Sequence, residues 1–149
     1  MIITRLSGGM RNQMFQYALG KSLAIKNKTS LLLDIHYYNL GIEKHRSYKL
    51  QHFKISDRIA KPSDFRAISI PNPEGQDLLS KSLRKLFRLY EQLKPAGKRR
   101  IILEEGFTFT QEVLDHRGDC YLSGVWQREK DFTDITEEIR NAFELKEDL

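Results

Sequence analysis

Met1-Ile2-Ile3-Thr4-Arg5-Leu6-Ser7-Gly8-Gly9-Met10-Arg11-Asn12-Gln13-Met14-Phe15-Gln16-Tyr17-Ala18 opens the chain, and its reading decides the fold. An apolar run that breaks at Ser7-Gly8-Gly9 predicts a buried strand ending in a tight turn. Met14, Phe15, Ala18, Leu19, Leu23 and Ile25 then form a broad apolar stripe, which predicts a helix over 10–26 closed by Asn27-Lys28. Residues 30–35, centred on Leu31-Leu32-Leu33, read as a second strand buried on both faces. Strand, helix, strand in this order makes a unit with parallel strands and a right-handed crossover.

Outward from this unit the pattern continues. Tyr48, Leu50, Phe53 and Ile55 hint at an edge strand, and Pro62, Pro71 and Pro73 mark loops. In 76–93, Leu79, Leu83, Leu86, Phe87, Tyr90 and Leu93 recur at helical spacing opposite Lys81, Arg84, Lys85 and Arg88. Strands are expected at 100–103 and 121–126, a helical turn at 111–114, and a last helix over 132–145 carrying Ile135, Ile139, Ala142 and Phe143. Alternating strands and helices give an α/β fold, a mostly parallel sheet flanked by helices, within one domain over 1–149.

A chain of 149 residues that is 40% hydrophobic and 30% charged has the balance of a globular protein. It contains no long apolar run, and Arg5 and Gly8-Gly9 interrupt the start before a signal peptide could form, so a cytoplasmic location is expected. Cys120 is the single cysteine; it can form neither an internal disulfide nor a cysteine-based metal cluster, and it reads as a small buried apolar residue. The net charge of +5 is uneven: Lys81 to Arg100 holds eight bases and one acid, whereas 129–149 holds eight acids and three bases. The basic stretch could meet phosphates, an anionic membrane surface or nucleic acid, or be a solvated helix face. Nucleic acid is the weakest of these, because no stacking aromatics alternate with the bases.

The turn at Gly8-Gly9 is the first candidate site. A strand that turns through two glycines into a helix leaves free N–H groups where the helix dipole is positive, and Arg11, Asn12 and Gln13 add side-chain donors. Such turns also occur without a ligand, so the residues alone leave binding open. The spacing does not fit G-x-G-x-x-G, and Gly20-Lys21-Ser22 lacks the first glycine of a P-loop. His116-Arg117-Gly118-Asp119 reads as an ordinary turn. Asp34, Glu104 and Glu105 are the carboxylates to weigh as a base, each also explicable as a strand-end or surface residue.

Gly8-Gly9-Met10-Arg11-Asn12-Gln13-Met14-Phe15-Gln16-Tyr17-Ala18 closely resembles the G-G-L-G-N-Q-M-F-Q-Y-A opening of α-1,2-fucosyltransferases, glycosyltransferase family 11. Leu31-Leu32-Leu33-Asp34, Arg46-Ser47-Tyr48-Lys49-Leu50, and Glu104 with Phe107 and Phe109 are similar to later segments in family order. Tyr121-Leu122-Ser123-Gly124-Val125-Trp126-Gln127, with Glu129, Lys130 and Phe132, resembles Y-L-x-G-Y-W-Q-S-E-K-Y-F. Arg11 stands where the family has a glycine; either the loop is strained there or Arg11 lies just inside the helix and reaches outward.

The resemblance implies a Rossmann-like N-terminal half of a GT-B-type enzyme, bacterial in type, that moves L-fucose from GDP-fucose to the 2-hydroxyl of a galactoside with inversion and without a metal. Gly8, Gly9, Arg11, Asn12 and Gln13 would face the cleft as substrate-binding residues, with Trp126 and Gln127 supporting it. The family's donor motif, H-x-R-R-G-D, does not occur in these residues. The expectation is therefore an acceptor-side half, truncated or part of a longer protein and inactive alone. A non-catalytic carbohydrate- or partner-binding module is the alternative.

Overall fold

The computed structural model describes residues 1–41, 44–71, 77–104 and 112–147. Strand β1 (Ile2–Arg5) leads through the diglycine turn into α1 (Met10–Lys26), β2 (Leu31–Asp34) and a short α2 (His36–Asn39). After a 3₁₀ turn at Leu50–His52 come β3 (Arg58–Ile59), α3 (Pro62–Ala67) and α4 (Leu78–Gln92). A 3₁₀ turn at Ala96–Lys98, β4 (Ile101–Leu103), α5 (Glu112–Asp115), β5 (Cys120–Ser123), a 3₁₀ segment (Glu129–Ile135) and α6 (Thr136–Ala142) complete the order.

The five strands form one sheet in the order β3-β2-β1-β5-β4, and every pairing is parallel. The α/β expectation holds. The last strand is inserted between β1 and β4, which leaves β1 central: Ile2, Ile3 and Thr4 of β1 pair with Leu31, Leu32 and Leu33 on one side and with Cys120, Tyr121 and Leu122 on the other.

Strand alternation sorts the core into two layers. Ile2, Leu31, Leu33, Cys120 and Leu122 point to the face covered by α1, where Tyr17, Leu19, Leu23, Val113, Trp126 and Ile139 pack on them. Ile3, Leu32 and Tyr121 point to the other face, against Phe65, Ile68, Ile70 and the partly buried Phe87.

Three expectations need correction. The edge strand is β3, two exposed residues, whereas Leu50 lies in a 3₁₀ turn and Phe53 makes only an isolated bridge to Leu145. Their apolar side chains pack on the α1 face of the core, so the hydrophobic signal was real but belonged to a turn. Strand β5 stops at Ser123, because Gly124 and a left-handed Trp126 (φ 57°) bend the chain away from the sheet. The last helix is broken into a kinked 3₁₀ segment and α6, with non-helical dihedrals at Phe132. Glu105, Phe107, Phe109, Pro73 and residue 111 lie outside the described residues.

Candidate functional site

In an open parallel sheet, ligands collect at the carboxyl ends of the strands, at the point where the connections run off in opposite directions. Here that point lies between β1, which leads to β2, and β5, which arrives from β4. The two stretches that the sequence singles out, Gly8 to Gln13 and Gly124 to Gln127, both leave the sheet there.

Gly8 adopts φ +71°, which few other residues would tolerate, and a Cβ there would sit 2.7 Å from the Asn12 amide nitrogen. Gly9 is extended and is the N-cap residue of α1, whose amino end has no side-chain cap and no acid in its first turn. A Cβ on Gly9 would meet Arg46 Nη1 at 2.5 Å, so a guanidinium lies directly over the turn. Arg11 is helical and exposed, with its guanidinium 5.9 Å from the centre of the Phe15 ring. It is not among the residues with positive φ, so arginine sits here without backbone strain and reaches outward.

Asn12 is half-buried, and its Oδ1 accepts a hydrogen bond from Gln127 Nε2 at 3.0 Å. This contact ties two motifs separated by 115 positions. Gln13 faces inward and is fully buried. Its Nε2 donates to Ser47 O (3.0 Å) and Gly8 O (3.3 Å), and its Oε1 accepts from Lys49 N (2.8 Å). Gln13 therefore clamps the 46–49 segment to the turn and places Arg46 over it.

Gln16 plays the matching part on the other side. Its Oε1 accepts from Ser7 N (2.9 Å), and its Nε2 donates to Ser7 Oγ (3.1 Å) and Gly124 O (2.8 Å). Sequence reasoning gave it no role. The signal was available: Gln13, Gln16, Tyr17 and Gly20 follow the i, i+3, i+4, i+7 pattern of one helix face, and all four are buried. In the sequence Arg46 stands out only as part of the 46–50 segment.

Trp126 is buried in the core, and the next residue, Gln127, is exposed. Glu104 shapes this corner: its Oε2 accepts from Val125 N (2.5 Å) and Trp126 N (3.0 Å). A Cβ on Gly124 would fall 2.4 Å from Glu104 Cβ and 2.7 Å from Trp126 Cε2, so only glycine fits between them. Asp34 is equally engaged, accepting from Tyr121 Oη (2.7 Å) and His36 N (2.9 Å). Burial, and then the Asp34 charge, push the Tyr121 hydroxyl well above its ordinary pKa, so it remains a donor to Asp34. Glu104 and Asp34 thus hold the backbone in shape; Glu105 lies outside the described residues.

Beside the turn, Met10, Arg11, Met14, Phe15, Phe132 and Phe143 line an open, mostly apolar groove of about 350 Å³. His116 to Asp119 lies at the opposite end of the strands, before β5, where Asp119 pairs with the Met1 amino group. Gly20-Lys21-Ser22 is inside α1, and Lys21 Nζ is held by Asp57 at 2.8 Å. Among the described residues, no group of three or more His, Cys, Asp or Glu side chains is placed to hold a metal ion.

The chain is 26% identical over 143 residues to an α-1,2-colitosyltransferase of Escherichia coli, a match that covers 95% of this chain and 44% of that protein. The chain thus spans less than half the length of this relative, and the similarity relates it to a glycosyltransferase. No family model matches the chain, and no solved structure matches it.

Proposed function

We propose that this chain forms the acceptor-side wall of a glycosyltransferase cleft, as the N-terminal α/β domain of an enzyme that transfers a sugar to a galactoside hydroxyl. The observation that carries this reading is the Asn12 to Gln127 contact. It joins two loops over adjacent strand ends, next to a glycine turn under a guanidinium. A primary amide both donates and accepts hydrogen bonds, as a sugar hydroxyl does, so a pair of amides at a rim suits a carbohydrate. Arg11 and Arg46 bring positive charge to the same mouth, suited to an anionic group of donor or acceptor.

The finer reading follows the resemblance: L-fucose passes from GDP-fucose to the galactoside 2-hydroxyl with inversion and no metal. The acceptor oxygen would attack the anomeric carbon from the face opposite the departing diphosphate, and its proton would pass to a base. Neither carboxylate at this corner is free for that task, since Asp34 and Glu104 are engaged by the fold. The base and the diphosphate grip would then come from a second wall. The relative's name makes a colitosyl group the competing donor sugar.

Lactose titrated into isotope-labelled chain is expected to move the amide resonances of Gly8, Gly9, Asn12 and the Gln127 side chain. Incubation with lactose and GDP-fucose is expected to yield no fucosylated product by mass spectrometry. No lactose shift at these positions would sink the acceptor-wall reading; turnover by the chain alone would sink the two-wall reading. Lactose shifts at Gly8 and Asn12 are also what a non-catalytic carbohydrate-binding module would give. The two readings separate when a second domain carrying H-x-R-R-G-D is supplied, because only the enzyme reading then gains turnover.

A further inference from the structure

Helix α4 separates apolar from basic residues, yet its leucine face is not turned to the core. Leu79, Leu83, Leu86, Leu89, Tyr90 and Leu93 are each more than half exposed. At about 100° per residue they span one continuous arc. The helix touches the body along a different line, through Phe87, packed on the sheet, and Glu91, which accepts from Arg100 N at 2.5 Å. A third arc carries Lys81, Lys85 and Arg88, all exposed. The one acid of the helix, Glu91, is buried and paired with Lys94. The outward surface of α4 is therefore apolar on one flank and cationic on the other, and among the described residues nothing covers it.

We propose that α4 lies in the interface of an anionic lipid bilayer, its leucine arc sunk among the acyl chains near the headgroups and its lysines on the lipid phosphates. Charge complementarity argues for this occupant. A helix with an exposed apolar arc beside Lys and Arg gains from hydrocarbon burial and from anionic headgroups together, and long basic side chains can bend back to the phosphate level. An antiparallel second copy stacked leucine to leucine would align the two cationic flanks along one rim, which costs energy. Such attachment is peripheral: among the described residues no helix is long and apolar enough to cross a membrane. The inference is independent of the sugar reading.

Vesicle flotation of the 149-residue chain tests it. With phosphatidylcholine vesicles containing about 30% phosphatidylglycerol the chain is expected to float, and with phosphatidylcholine alone, or in about 0.5 M salt, floating should fall at least tenfold. L83E/L86E should abolish it, and K81E/K85E should lower it by at least about tenfold. Both pairs are exposed, so far-UV circular dichroism should stay unchanged. Three results would overturn the proposal: wild type that never floats on anionic vesicles, L83E/L86E that floats as wild type does, or a vesicle-free dimer that L83E/L86E converts to monomer. The last would assign the face to a second copy of the chain.

Discussion

Helices α1 and α4 cover opposite faces of one sheet and invert the usual expectation. The sequence of α1 mixes apolar and polar residues around the helix, with glutamines among its inward residues, and eight of its residues are buried. That of α4 separates leucines from lysines cleanly, and of its residues only Glu91 is buried. Amphipathicity says that a helix has an apolar face; it does not say that the core of the same chain takes that face. What decides is the partner surface. On the α1 side, Leu31, Leu33, Leu122, Trp126 and the α6 residue Ile139 meet the helix, whereas on the α4 side α3 and the 68–70 segment occupy much of the sheet.

Truncating a leucine on each helix tests this contrast most sharply. Leu23→Ala should lower unfolding stability by about 2–5 kcal/mol, because it opens a cavity in a packed core. Leu86→Ala should change it by less than about 0.5 kcal/mol, as an exposed position does. Urea midpoints measure both, and equal losses would break the comparison. Gln16→Ala comes next, with an expected loss of about 1–3 kcal/mol, since Ser7 N and Gly124 O lose a partner in a half-buried corner. Gln127→Ala, at the exposed rim, should cost less than about 0.5 kcal/mol while shifting the Asn12 side-chain resonances.

A smaller effect belongs to the α4 side of the sheet. Arg58 reaches Asp64 with two hydrogen bonds of 2.7 and 2.8 Å and holds its carboxyl at a pKa of about 2. A carboxyl with a depressed native pKa adds stability above its unfolded value, near 4, and that stability is lost as pH falls from about 4 towards 2. Asp64→Asn should lower stability above about pH 4 and so flatten this part of the acid-unfolding curve, while the slope on the neutral-to-basic side stays as it is. Smallest in stability terms is Cys120, whose thiol is pushed up to about 12 by burial under α1. At pH 8 a thiol reagent should modify it at least about a hundredfold faster in urea than in the native chain.

Local pattern carried the first half of the fold. Residues 10–26 are helical as the apolar stripe and the Asn27-Lys28 stop predict, because these signals act over a few residues. The position of β5 was not legible, since strand order depends on contacts between residues more than a hundred positions apart. In the site, Gly8 and Gly9 could be read from the turn they make. Gln13 could not be distinguished from a ligand-facing donor, because its polarity is visible in sequence while its partners, Ser47 and Lys49, are brought to it only by folding. Glu104 shows the same limit: a carboxylate at a strand end looks like a general base until the two amides it accepts from are seen.

The late strand inserted between β1 and β4 also has a consequence during synthesis. Until residues 120–123 leave the ribosome, β1 presents an unpaired edge and β4 has no strand beside it. The β1 edge must therefore stay open as an adhesive seam until more than a hundred further residues have been made, the interval in which an unpaired edge is most exposed to wrong pairing.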